Sequence, residues 1–119
     1  MPHILAVDDS QTMRDVVKET LESAGYQVTV AENGLDGLEK FKQGKFDLII
    51  ADINMPVMDG ITMIKEIRKI NTEVPIITLT TESEESKKQE GRNAGADGWI
   101  VKPFRPAQFL DIIKQILEE

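Results

Sequence analysis

Residues 46–51 run Phe46-Asp47-Leu48-Ile49-Ile50-Ala51 and lead directly into Asp52. From Leu48 to Ala51 no polar residue interrupts the apolar ones, as it would in a strand with one wet face. The run Phe46–Ala51 therefore reads as a strand, covered on both sides at its unbroken apolar centre, the environment of a parallel sheet. Four further short runs stand at Ile4–Val7, Val28–Val30, Pro75–Leu79 and Gly98–Val101. Between and after them the apolar residues take helical spacing. Met13, Val16, Val17, Thr20, Leu21 and Ala24 form one stripe, and Leu35, Leu38 and Phe41 a second. Ile61, Ile64 and Ile67 form a third, and Phe109, Ile112, Ile113, Ile116 and Leu117 the last. Ser10 suits an N-cap, Gly25 and Gly44 sit just past helix ends, and Pro106 falls in a first turn. Strands and helices in strict alternation predict an α/β fold, a doubly wound five-stranded parallel sheet with right-handed crossovers.

One helix departs from this pattern. Between Glu82 and Asn93 there is no apolar residue, and Gly91 lies inside at a cost of roughly 1 kcal/mol. That composition predicts a solvated, marginally stable helix, suited to moving.

The whole chain bounds the function. At 119 residues, 40% of them hydrophobic, it supports one domain, 1–119, with a real core. No apolar run approaches the ~20 residues of a membrane span, and no signal pattern opens the chain, so a cytoplasmic location is expected; the chain is also expected to be a monomer. The absence of Cys removes disulfides and thiolate chemistry, and a single histidine, His3, removes a histidine metal cluster. A net charge of -7 disfavours nucleic acid as a partner.

In a doubly wound sheet, ligands bind beyond the carboxyl ends of the strands. Asp8 and Asp9 follow the first strand, Asp52 and Asn54 the third, Thr80 and Thr81 end the fourth, and Lys102-Pro103 end the fifth. Taken singly, each has a plain explanation: Asp8-Asp9 as a helix cap, Asp52 as a turn cap, Lys102 as a solvated side chain, Asp59-Gly60 as a turn. Taken jointly, three carboxylates, a hydroxyl and an ammonium on one rim are not explained by caps. Carboxylates so close resist ionising unless a cation offsets them, and oxygen-only donors suit Mg²⁺. An Asp beside Mg²⁺, a Lys and a Thr hydroxyl is equipped to take up a phosphoryl group as an aspartyl phosphate.

These residues resemble a known family, the receiver domain of two-component response regulators, and within it the single-domain chemotaxis regulators. The likeness rests on Val7-Asp8-Asp9, Asp52-Ile53-Asn54-Met55-Pro56 with Met58-Asp59-Gly60, Thr80, and Val101-Lys102-Pro103-Phe104. It spans essentially the whole chain. The resemblance implies a flavodoxin-like (βα)5 fold with strand order 2-1-3-4-5, Asp52 as phosphoacceptor, and Mg²⁺ on Asp9, Asp52 and the carbonyl of Asn54, with Asp8 acting through water. It further implies that Thr80 and Lys102 contact the phosphoryl group, that Asn54 and Glu82 tune dephosphorylation, and that the bond before Pro103 is cis. Thr80 and Trp99 would carry the switch, a sensor histidine kinase would be the donor, and a downstream protein, such as the flagellar motor switch or another chemotaxis protein, the target.

Three departures qualify it. Trp99 stands where the family usually has Tyr or Phe, Thr81 where a smaller residue is common, and the helix after Glu82 is charged where motor-binding relatives are apolar. Among rivals, a haloacid-dehalogenase-like phosphatase needs a second acid where Asn54 stands, and Asp8-Asp9 would repel a flavin phosphate. A pure docking module has no use for the acidic set. The expectation is a phospho-switch without an output domain, rather than a conventional enzyme, presenting the Thr80–Trp99 side to a partner.

Overall fold

The computed structural model describes residues 1–81 and 85–118. The order is β1 (His3–Val7), α1 (Gln11–Ser23), β2 (Gln27–Ala31), α2 (Gly34–Gln43), β3 (Leu48–Asp52), α3 (Gly60–Ile70), β4 (Ile76–Thr81), α4 (Glu85–Ala94), β5 (Gly98–Lys102) and α5 (Pro106–Glu118). All strand pairs are parallel, in the order β2-β1-β3-β4-β5. The chain therefore has the flavodoxin-like topology, with β1 and β3 adjacent at the centre.

Every residue of β3 is buried, as its unbroken apolar run requires. One face packs Leu5, Val7, Ile49 and Ala51 against α2 and α3 through Leu38, Phe41, Met63, Ile64 and Ile67. The other packs Ile4, Ala6, Leu48, Ile50 and Leu79 against α1 and α5 through Val17, Leu21, Phe109 and Ile113. Ser10 caps α1, its side chain accepting from the Met13 amide. Asn33 and Asp59 cap α2 and α3 in the same way, so Asp59 does more than mark a turn.

Some boundaries differ from expectation. β3 starts at Leu48, not Phe46; the Phe46 ring instead lies against His3, with centroids 4.4 Å apart. Val16, Leu35 and Ile112 are exposed, because each helix meets the sheet along a band narrower than its apolar stripe.

α4 is as polar as its sequence, yet it is seated firmly at one end. Gly91 is buried where a Cβ would come within 3.3 Å of Thr78 Cγ2, so the glycine allows close approach to the sheet. Beyond it, Arg68 donates to the Gly95 carbonyl at 2.9 Å and pairs with Asp97 at 3.0 Å, fixing the α4–β5 turn. Glu82 lies outside the described residues.

Candidate functional site

The central position of β1 and β3 brings their carboxyl ends together. Asp8 is held at three points. Its amide donates to the Ala31 carbonyl (3.1 Å), its carbonyl accepts from Arg14 Nη1 (2.7 Å), and its Oδ1 accepts from the Ser10 amide (2.9 Å). Its remaining oxygen, Oδ2, is buried and has no hydrogen-bond partner among the described residues. Asp52 ends β3 with Oδ1 accepting from the Ile53 amide at 2.8 Å. Asp9 joins them from the exposed side, and one oxygen from each of Asp8, Asp9 and Asp52 lies within 4.8 Å of the others.

β5 supplies the counter-charge. Lys102 Nζ stands 3.3 Å from Asp52 Oδ1 and 3.9 Å from Asp8 Oδ2. The Lys102–Pro103 bond is cis. Burial pushes the carboxyls of both Asp8 and Asp52 above the usual Asp range. Repulsion from neighbouring carboxylates adds to the rise, while Lys102 and the backbone amides oppose it without overcoming it. Hard oxygen donors, one of them buried without a hydrogen-bond partner among the described residues, in a pocket where ionisation is resisted, fit a divalent cation such as Mg²⁺.

Thr80 lies on β4 beside this cluster. It is fully buried and its Oγ1 has no partner among the described residues. Asn54 follows Asp52 at the exposed rim, and Thr81 is exposed at the end of β4 beside Lys102. Its place three residues before Lys102 suggests that Trp99 lies across from Thr80 at the end of β4, and the structure corrects this. Trp99 pairs with Thr78, while Thr80 faces Val101, so Trp99 sits two residues below the rim. The residue is about a third exposed, and two α4 cations lie over its ring, Arg92 at 4.9 Å and Lys88 at 5.4 Å from the centroid. It is thus neither buried packing nor a free side chain.

Sequence reasoning missed several supports. Gly60 packs so tightly on the Asp52 backbone that a Cβ there would overlap the Asp52 carbonyl. Gly34 approaches the Met58 carbonyl in the same way and donates to it at 2.8 Å. The Asp-Gly signal at 59–60 pointed to the first; nothing local pointed to the second, or to Arg14.

A doubly wound parallel sheet with acidic residues from two strand ends and a lysine from a third defines a class of small α/β domains with a cation-ready carboxyl edge. The match to known proteins narrows it. Residues 4–114 fit the response regulator receiver domain, and the chain belongs to that family. It is 41% identical over 115 residues to the chemotaxis protein CheY of Bacillus subtilis, covering 96% of each chain. It is also 39% identical to the transcriptional regulatory protein ResD of the same organism, there covering 47% of the relative. Among solved structures, the chemotaxis protein CheY4 of Vibrio cholerae superposes with a TM-score of 0.93 at 45% identity, over 98% of this chain and 99% of that one. The chain is therefore a two-component receiver. Among the described residues no helix is long and apolar enough to cross a membrane.

Proposed function

We propose that the chain is a phosphorylation-dependent switch in which Asp52 accepts the phosphoryl group. The observation that carries this is a buried carboxylate with an ammonium at 3.3 Å and two further carboxylates within 4.8 Å. Asp9, Asp52 and the Asn54 backbone carbonyl would hold Mg²⁺, with Asp8 acting through water. When bound, the cation would offset the carboxylates and the charge on the transferring oxygens.

An Asp52 oxygen attacks phosphorus, the bond from phosphorus to the donor's imidazole nitrogen breaks, and the imidazole leaves with the electron pair. Lys102 exchanges its contact with Asp52 for one with a phosphoryl oxygen. Thr80 donates its unpartnered hydroxyl to another, which draws the end of β4 toward the site. That movement, passed to Trp99 and α4, changes the affinity of this face for a protein. A sensor histidine kinase as donor and a chemotaxis protein as target fit the relatives that match over 95% and 96% of their own length, each a chemotaxis protein CheY. The charged surface of α4 speaks for a target other than an apolar motor contact.

The test is labelling by acetyl phosphate with Mg²⁺. The parent should take up label, and Asp52→Asn, folded by circular dichroism, should take up none. Undiminished label on that variant removes Asp52 from the role.

A further inference from the structure

The loop from Asp52 to α3 carries a feature that the phosphoacceptor does not require. Val57 has φ 68°, left-handed backbone that a β-branched side chain rarely adopts. The Met58 amide donates to the Pro56 carbonyl across it at 2.7 Å, closing a γ-turn of the rare, strained kind. The conformation is imposed from both ends. Gly34 holds the Met58 carbonyl, and the Gly60 amide holds that of Ile53 at 2.8 Å. Asn or Gly would satisfy this turn at little cost. Instead the tip bears an apolar side chain that is 77% exposed, with Pro56 exposed beside it and Met55 and Met58 half-exposed. Backbone strain and a wet apolar surface both oppose stability, so their coincidence at a site rim is a sign of function.

The reaction indicates what covers it. Asp52 is only 9% exposed, so a protein that delivers a phosphoryl group must bring its own surface down onto the rim around it. A small donor such as acetyl phosphate needs no such contact. We propose that Val57, flanked by Pro56 and Met58, is a docking contact for the phosphorylated protein donor and helps to set which donors are accepted. The inference rests on Asp52 being the phosphoacceptor.

The test uses Val57→Asn and Val57→Leu in the full chain with two donors. One is acetyl phosphate. The other is a purified histidine kinase carrying labelled phosphohistidine, chosen because it labels the parent. Val57→Asn relieves the turn and should raise the melting temperature by about 4 °C or more. Its labelling by acetyl phosphate should match the parent, while transfer from the kinase should fall about five- to tenfold in kcat/KM. Val57→Leu keeps an apolar tip and should stay within about twofold of the parent with the kinase. Equal loss with both donors would mean that Val57 acts on the Asp52 site itself, and no loss with the kinase would mean that it makes no contact; either overturns the proposal. Failure of acetyl phosphate to label the parent at Asp52 would instead overturn the underlying reading.

Discussion

Replacing Asp8 by Asn should make the metal-free protein more stable at neutral pH, although it removes an ion pair. The Coulomb terms nearly cancel. At an effective dielectric of about 20, attraction between Asp8 and Lys102 at 3.9 Å and repulsion between Asp8 and Asp52 at no more than 4.8 Å each come to about 4 kcal/mol. What remains is burial, the largest influence on the Asp8 carboxyl, and it disfavours the ion. A carboxyl held above its unfolded value keeps a proton in the native state that the unfolded chain has lost. The parent therefore loses stability as pH rises from the ordinary Asp range through the folded value. Asp8→Asn escapes that loss, so its advantage should be small in acid and reach about 1 kcal/mol, or about 4 °C, at pH 7 to 8. Saturating Mg²⁺ should invert the order. At a hundredfold excess over its dissociation constant, a native-state ligand contributes about 2.7 kcal/mol to the parent, and the variant should gain less. Urea melts at several pH values, with EDTA and then with Mg²⁺, measure both effects. A variant less stable than the parent at neutral pH without metal, or an advantage that does not grow with pH, would refute the reasoning.

Lys102→Ala should keep a native circular dichroism spectrum and still take up some label from acetyl phosphate, but the switch that follows should be lost; normal Trp99 emission changes on phosphorylation in that variant would remove Lys102 from the relay. Titrating Mg²⁺ with beryllofluoride, which mimics the bound phosphoryl group, should shift Trp99 emission saturably in the parent and not in Asp52→Asn. Flat emission with the mimic demonstrably bound would leave Trp99 static beneath Lys88 and Arg92.

The sheet was legible because its signal is local. Leu48-Ile49-Ile50-Ala51 has to be a strand buried on both faces, since no alternating polar residue offers a wet side, and all four residues are buried. The acidic set was legible for a related reason: the fold class alone sends Asp8, Asp9, Asp52, Thr80 and Lys102 to one edge of the sheet. What escaped depends on contacts between distant segments. Arg14 reaching the Asp8 carbonyl, Gly34 against Met58 and Arg68 across to Asp97 leave no local periodicity. α4 is the instructive case. Read locally, a stretch without apolar residues that contains a glycine is a weak helix. In the fold, Gly91 is what lets it sit on Thr78, and two of its charges lie over the Trp99 ring. Cations over an aromatic face at a partly exposed site contribute on the order of 0.5–1 kcal/mol each. That is enough to bias a side chain between two positions and too little to fix it in one. Thr78, which Gly91 touches and Trp99 pairs with, lies two residues from Thr80 on the same strand. Under the proposed switch, a pull on Thr80 would act on the seat of α4 and on the strand opposite Trp99 at once, so the helix that looks weak in sequence is joined to the site through Thr78 rather than through an apolar face of its own.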